Sequence, residues 1–372
     1  MRFWLLLGVI LLANSGLGCK KAVNDVTEKP VIINQEEEEE NTTVETTTTM
    51  EDTTVEISTT EEAQINPLNV EDDSDDIDDF QEAFSDIEDE GNGVCGERDL
   101  TEKITRKELP SAVIIGTKKG GTRALLEFLN MHPQVRRSKH EPHFYDKNYE
   151  KGAEWYKEQM PEILDDQISL EKTPGYFHTA GVPEKIKEIK NDTKLILIVR
   201  NPVSRLISDY NQFRSNTIAK NLTYPPLEEL VLSKSGRILE SYPPIQRSKY
   251  HLHMQDWLSV FPRSQLLVID GDSFIHEPWV ELGRLERFLD LPHQLSEDNF
   301  FFNTTKGFYC GRQVIMRPTS EWSCIRTKCL SKSKGRKKPP VSSDLLSKLS
   351  DYFIPHNKIF FRMIGKYDFE WK

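Results

Sequence analysis

Long apolar runs are almost absent from this chain of 372 residues. The longest opens it, Met1-Arg-Phe-Trp-Leu-Leu-Leu-Gly-Val-Ile-Leu-Leu-Ala, with about eleven apolar residues beside one positive charge. A bilayer core needs about twenty such residues, so the stretch is short for a membrane span. Small residues ending near Gly18 follow it, as in a cleaved secretory leader. Residues 1–20 therefore read as a signal peptide or a signal anchor, and either places the remainder in a secretory lumen. Histidine pairs at ligand spacing are missing around the cysteines, which disfavours a Cys/His metal site. No internal repeat is visible.

Bases are scarce at the start as well. The first hundred residues hold 27 Asp+Glu and 5 Lys+Arg, a net charge of −22. Their texture is an acidic run at 36–40, a threonine-rich tract at 42–60 suited to O-glycosylation, and a second acidic stretch at 71–90 with few apolar residues. Such a segment cannot bury enough surface to offset its ordering entropy, so 21–105 reads as a disordered stem. The other 272 residues carry 33 acids and 43 bases, net +10. The part that folds is basic, as a binder of phosphorylated or sulfated polyanions should be.

What is there, from 106 to 372, alternates between two patterns. Short runs rich in Ile, Val and Leu at 112–116, 194–199 and 265–270 read as buried parallel strands. Between them, 122–131, 183–190, 202–213, 246–261 and 281–289 read as helices, and 342–363 reads as an amphipathic helix broken at Pro355. The alternation implies a three-layer α/β domain with a central parallel sheet. Ligands of such domains sit beyond the carboxyl ends of the strands.

Two of those strands run into polar turns and then helices. After the first come Thr117-Lys-Lys-Gly-Gly-Thr, with a helix starting near Thr122; after the second come Arg200-Asn-Pro. Helix-start amides flanked by cations make an anion site, and two of them suit a nucleotide with phosphates at both ends. Gly116 and Gly121 have the spacing of a triphosphatase P-loop, but Thr122 and Arg123 stand where Lys and Ser/Thr are needed. That disfavours a kinase or triphosphatase.

Lys119-Gly-Gly-Thr-Arg-Ala-Leu-Leu-Glu resembles the 5′-phosphosulfate loop of Golgi sulfotransferases that use 3′-phosphoadenylyl sulfate (PAPS). Arg200, followed eight positions later by Ser208 in Ser-Asp-Tyr, resembles their 3′-phosphate site. Glu141-Pro-His-Phe-Tyr-Asp, Glu171-Lys-Thr-Pro-Gly-Tyr-Phe, Gly307-Phe-Tyr-Cys and Ser333-Lys-Gly-Arg narrow the resemblance to heparan sulfate glucosamine 3-O-sulfotransferases, over about residues 108–372. The resemblance implies a P-loop-like sulfotransferase domain that moves a sulfuryl group from PAPS to a glucosamine 3-hydroxyl. Its location would be the Golgi lumen, with membrane attachment only if the leader is kept, and a secreted form left open. The partner is heparan sulfate or heparin, not nucleic acid. A PAPS enzyme for another acceptor and a non-catalytic heparin-binding glycoprotein are the alternatives.

Residue roles follow from the same resemblance. In-line sulfuryl transfer needs a base for the attacking hydroxyl and cations at the leaving phosphate oxygen, and the scheme requires no metal. Glu141 is the candidate base, with His143 as its orienting partner or a sulfate contact. Lys119 stabilises the leaving group, and Gly120, Gly121, Thr122 and Arg123 complete the 5′-phosphate cradle. Arg200 and Ser208 take the 3′-phosphate, and Lys334, Gly335, Arg336, Lys337 and Lys338 close over the nucleotide. Arg205 reads as an exposed helix arginine rather than a third phosphate partner. The acceptor side comprises Lys118, which could instead contact a phosphate, Pro142, Phe144, Tyr145, Asp146, Lys147, Lys172, Thr173, Pro174, Gly175, Gln212, Trp257 and Leu258, with Trp257 reading equally as core. Arg136, Arg137 and Lys139 would help grip the polyanion. Of the five cysteines, the resemblance pairs Cys310 with Cys329; bridges from Cys324 to Cys310 or to Cys95 stay open, and Cys19 falls near the leader's end. Sequons at Asn41, Asn191, Asn221 and Asn303 fit a luminal chain.

Overall fold

Strand β1, Ala112–Gly116, is buried along its whole length and lies at the centre of the sheet. The structure is a computed structural model that describes residues 104–316, 323–330, 340–365, 369 and 371, with backbone only at 314–316 and 323–326. The leader, nearly all of the proposed stem, Cys19, Cys95 and the run from Lys334 to Lys338 lie outside the described residues.

The described chain runs β1, helix α1 (Thr122–Leu129), β2 (Val135–Arg137), β3 (Ile168–Lys172), α2 (Val182–Ile189), β4 (Lys194–Val199), α3 (Pro202–Ala219), α4 (Tyr250–Val260), β5 (Leu266–Asp270) and α5 (Pro278–Phe288). Then come β6 (Phe300–Asn303), β7 (Phe308–Met316), β8 (Ser323–Lys328) and α6 (Ser343–Ile364), with shorter helical turns between. The first five strands form one parallel sheet in the order β2-β3-β1-β4-β5. The last three form a separate antiparallel sheet.

Strand alternation makes the three layers. Val113 and Ile115 of β1 join Leu195, Leu197 and Val199 of β4 in one core with Ile186, Met254, Trp257 and Phe360. Ala112 and Ile114 join Ile196 and Ile198 in the opposite core with Leu125, Leu129, Leu282 and Leu285. Successive side chains point to opposite faces, so a strand covered on both faces reads as a continuous apolar run. Each fully buried Val, Leu or Ile contributes about 1.5–3 kcal/mol, which makes these two strands the anchor of the sheet. A third core joins α3 (Leu206, Ile207, Tyr210) to the first half of α6 (Leu345, Leu349, Phe353).

Several expectations need correction. Besides the three apolar runs the sheet holds β2 and β3, which carry Arg136, Arg137, Ser169, Glu171 and Lys172 and so show no continuous apolar run. The stretch 246–261 is two helical pieces, Pro243–Ser248 and α4, separated at Lys249 with φ −82° and ψ 64°. α3 continues six residues past 213, to Ala219. Pro355 does not break α6, which is continuous over 22 residues. The proline forfeits a hydrogen bond, but Phe353 on one side of it and Phe360 on the other are buried in different cores, so both halves are held. Cys310 is disulfide-bonded to Cys329, so the 310–324 alternative does not hold.

Candidate active site

Three of the parallel strands end at one edge of the sheet and deliver the candidate residues there. Strand β1 leads into loop 117–121, which folds back on β4: the Thr117 amide and hydroxyl both donate to the Ile198 carbonyl, at 2.8 and 3.1 Å. The Gly120 amide donates to the Thr117 carbonyl at 2.8 Å. A Cβ on Gly120 would stand 2.5 Å from the Ile198 carbonyl oxygen and 2.6 Å from Thr117 Oγ1, so no other residue fits there without movement. Gly121, at φ 112°, caps α1 without a side-chain hydrogen bond. Left-handed backbone at Lys119 (φ 67°) turns its side chain toward α3, where Nζ donates to Gln212 Oε1 at 3.0 Å. Lys118 Nζ lies 5.8 Å from the centre of the Phe213 ring on the same helix.

Strand β4 delivers Arg200. Asn201 caps α3, its side chain accepting from the amides of Val203 and Ser204 at 2.9 and 3.2 Å, with Pro202 at the first helical position where a missing N–H costs nothing. Arg200 pairs with Asp272 at 3.4 Å, and its buried Nε has no hydrogen-bond partner among the described residues. Ser208 lies two turns along α3, half-buried. Arg205 corrects the expectation of an exposed arginine. It is fully buried, paired with Asp209 at 2.9 Å, and donates to Ser248 Oγ and to the Lys118 and Pro244 carbonyls. Burial pushes the Asp209 carboxyl up, but Arg205, Arg247 and Lys118 outweigh it and hold it well below the usual range.

Strand β3 delivers Lys172, whose ammonium is ion-paired with the Glu141 carboxylate. His143 Nε2 lies 3.5 Å from the other oxygen of Glu141, while its Nδ1 meets Asp146 Oδ2 at 2.9 Å. Asp146, expected on the acceptor side, thus orients the imidazole. Gly175 gives Asp146 room, since a Cβ there would come 3.2 Å from Oδ2. Pro174 beside it is half-buried, and Lys147 is exposed.

Other acceptor assignments fail on burial. Phe144, Tyr145 and Trp257 are core residues, Phe144 stacking on Tyr156 with ring centres 4.3 Å apart and Trp257 donating to the Phe177 carbonyl at 3.1 Å. Leu258 packs against the same core, and Pro142 and Thr173 are buried. The buried members present almost no side-chain surface to a sugar chain, whereas Leu258 is only half-buried. Arg137 is not a free grip for a polyanion either. It shares the buried Glu127 carboxylate with Arg123 and Lys328, at 3.2 Å and, for Arg123, 3.0 Å. Burial pushes Glu127 up, and Arg137, Lys328 and Arg123 together pull it below its ordinary value. Arg136 donates to the Pro133 and Val135 carbonyls, and Lys139 is exposed beside the site.

Sequence reasoning gave no role to Glu127, Glu171, Asp209 or Asp272. An acid inside a polar-looking strand or on a helix has the same letter as a surface acid. Three of them did carry a signal, their place inside a quoted motif: Glu127 closes the Lys119 loop run, Asp209 sits in Ser-Asp-Tyr and Glu171 opens Glu-Lys-Thr-Pro-Gly, whereas Asp272 had none. Chemically, the edge combines a carboxylate held by a lysine and a histidine with a glycine-cradled helix start, a lysine turned inward and an arginine with a spare donor. That set can take a proton at one point and hold anionic oxygen at two others.

Residues 109–359 match the sulfotransferase domain family. The chain is 44% identical over 267 residues to human heparan sulfate glucosamine 3-O-sulfotransferases 3B1 and 3A1, covering 71% of this chain and 65% and 63% of theirs. It is 43% identical over 263 residues to human heparan sulfate glucosamine 3-O-sulfotransferase 5, covering 70% of this chain and 73% of that one. The match thus spans just under two thirds of the length of the first two relatives. A sulfotransferase from Alicyclobacillus acidocaldarius shares the fold, with TM-score 0.51 at 17% identity, over 70% of this chain and 98% of that one.

Proposed function

The chain belongs to the sulfotransferase family, among the heparan sulfate glucosamine 3-O-sulfotransferases, and on that premise we propose that it sulfates the glucosamine 3-hydroxyl of heparan sulfate with PAPS as donor. The observation that carries the proposal is the Lys172–Glu141–His143–Asp146 chain of contacts at the same sheet edge as loop 117–121. Glu141 takes the proton of the attacking hydroxyl. As that oxygen bonds to sulfur, the sulfur–oxygen bond to the 5′-phosphate breaks and its electron pair stays on the phosphate. Lys119 meets that developing charge, worth a large share of the acceleration in a preorganised site. Lys172 and His143 fix the carboxylate's orientation, so little reorganisation remains at the moment of transfer.

The residues fit a bisphosphorylated nucleotide. Gly120 admits no Cβ, the start of α1 has no side-chain cap competing for its amides, and Arg200 Nε is buried and unpartnered among the described residues. Arg200 and Ser208 would hold the 3′-phosphate and Gly121, Thr122 and Arg123 the 5′-phosphate, Arg123 being also bound to Glu127. Gln212 positions Lys119. The Golgi lumen is the proposed location, supported by the leader-like start and by a disulfide, which persists in oxidising compartments.

Glu141→Gln tests the assignment. The amide keeps the shape but accepts no proton, so turnover falls by about 10²–10⁴, while the affinity for adenosine 3′,5′-bisphosphate, read by calorimetry, stays within about twofold. Turnover near the wild-type rate would remove Glu141 from the role of base.

A further inference from the structure

Beneath the Glu141–Lys172 pair lies a buried polar network that no step above uses. Tyr156 donates to Glu171 Oε1 at 2.9 Å and Thr173 donates to Glu171 Oε2 at 3.1 Å. The Tyr145 ring packs edge-on against those of Tyr156 and Tyr176, with centres 5.2 and 5.4 Å apart, and the Tyr176 amide donates to the Thr173 carbonyl at 3.2 Å. Tyr176 Oη also accepts the backbone amides of Phe144 and Tyr145, at 2.9 and 3.4 Å. Glu171, Thr173, Tyr145, Tyr156 and Tyr176 are all at most 1% exposed. The network therefore ties three pieces together: the end of β3, which presents Lys172; the turn Phe144–Lys147, which directly follows His143; and helix Gly152–Glu158, which bears Tyr156.

We propose that Glu171 is a positioning residue of this site: its buried carboxyl, through Thr173, Tyr156 and Tyr176, sets Lys172 and segment 141–146 against each other so that Glu141 is aimed at the acceptor. This rests on the reading of Glu141 as the base. Glu171 works protonated: one oxygen accepts from one of the two hydroxyls while the carboxyl O–H donates to the other, since a Tyr or Thr hydroxyl can serve as donor or acceptor. Burial, the largest influence, pushes its carboxyl up to about 8, with Glu141 pushing further and the hydrogen bonds from Tyr156 and Thr173 and the nearby His143 pulling back. The charged groups around it are Glu141, His143 and Asp146 on segment 141–146 and Lys172 on its own strand, and Lys172 is committed to Glu141. The other facing groups are the hydroxyls of Tyr145, Tyr156 and Tyr176, which burial keeps neutral by raising them. Above about pH 8 the proton leaves Glu171, a second anion forms under Glu141, and it competes for Lys172. The site then loses its alignment.

Glu171→Gln and Glu171→Ala, compared with wild type, test this. Gln both donates and accepts, as a protonated carboxyl does, so E171Q keeps the wild-type rate at pH 6.5 and retains it above pH 8 where wild type declines. E171A strands two hydroxyls and lowers kcat about tenfold or more, as misplaced catalytic groups do, with the KM for PAPS within about threefold. Coincident alkaline profiles for wild type and E171Q, or an E171Q as slow as E171A, would overturn the proposal while leaving the transferase reading intact. A readout independent of the acceptor is amide hydrogen exchange at Phe144 and Tyr145. It speeds up about tenfold or more in E171A but not in E171Q, for loss of a supporting contact on local opening. Equal exchange in all three proteins would overturn the positioning role even if wild type failed to sulfate heparan sulfate.

Discussion

A single hydrogen in place of a methyl group keeps loop 117–121 against β4. Gly120→Ala puts a Cβ 2.5 Å from the backbone oxygen of Ile198 and 2.9 Å from that of Thr117, and neither can rotate aside as a side-chain tip could. Overpacking of this kind costs about 1–3 kcal/mol, and the strain falls on the phosphate loop. The variant is therefore expected to fold and to bind adenosine 3′,5′-bisphosphate at least tenfold more weakly by calorimetry; wild-type affinity would mean the loop does not cradle the nucleotide. At this scale the sequence was informative where residue type and motif coincided: Lys119, Glu141, Arg200 and Lys172 all reach the sheet edge. It was misleading where a motif mixes site and core. Glu141-Pro-His-Phe-Tyr-Asp reads as one patch, yet Phe144 and Tyr145 turn inward because the backbone enters a helical turn after His143, at φ 45°. Arg205 looked exposed on its helix until Asp209 one turn later and Ser248 from another element enclosed it.

Among the elements, the antiparallel sheet is tied down twice. The disulfide joins Cys310 in β7 to Cys329 just after β8, 19 residues apart, and Lys328 next to it is ion-paired with Glu127 of α1. Closing a loop of that length contributes about 3 kcal/mol. Replacing both cysteines by serine should lower the unfolding free energy in urea by about that amount. It should also weaken nucleotide binding, because Glu127 holds Arg123 beside the phosphate loop; unchanged binding would separate the two effects. Elements were legible where one physical signal dominated. β1 and β4 are apolar on both faces and were plain, whereas β3 places Ser169 and Glu171 in the interior and so lacked the pattern of a buried strand. Local proline chemistry suggested a broken α6, but two cores gripping Phe353 and Phe360 override one missing hydrogen bond.

Over the molecule as a whole, charge is divided. The first hundred residues carry −22 and the other 272 carry +10, so the stretch that holds the candidate site has the charge to attract a sulfated polymer. Heparin affinity should fall steeply between low and physiological salt, as screening shortens the reach of exposed charges. Stability should depend on pH through Glu171. Its folded value of about 8 lies above its ordinary 4.5, so the stability contributed by the protonated carboxyl is complete below about pH 4.5 and is lost as pH rises to about 8. E171Q carries no such proton, so its melting temperature relative to wild type should climb across that window; a flat difference would contradict it.

The central claim is tested by incubating the protein with ³⁵S-labelled PAPS and heparan sulfate, then resolving the labelled disaccharides. Label on the glucosamine 3-hydroxyl is the predicted result. Label confined to another position, or none on heparan sulfate despite bound nucleotide, would contradict the proposed acceptor.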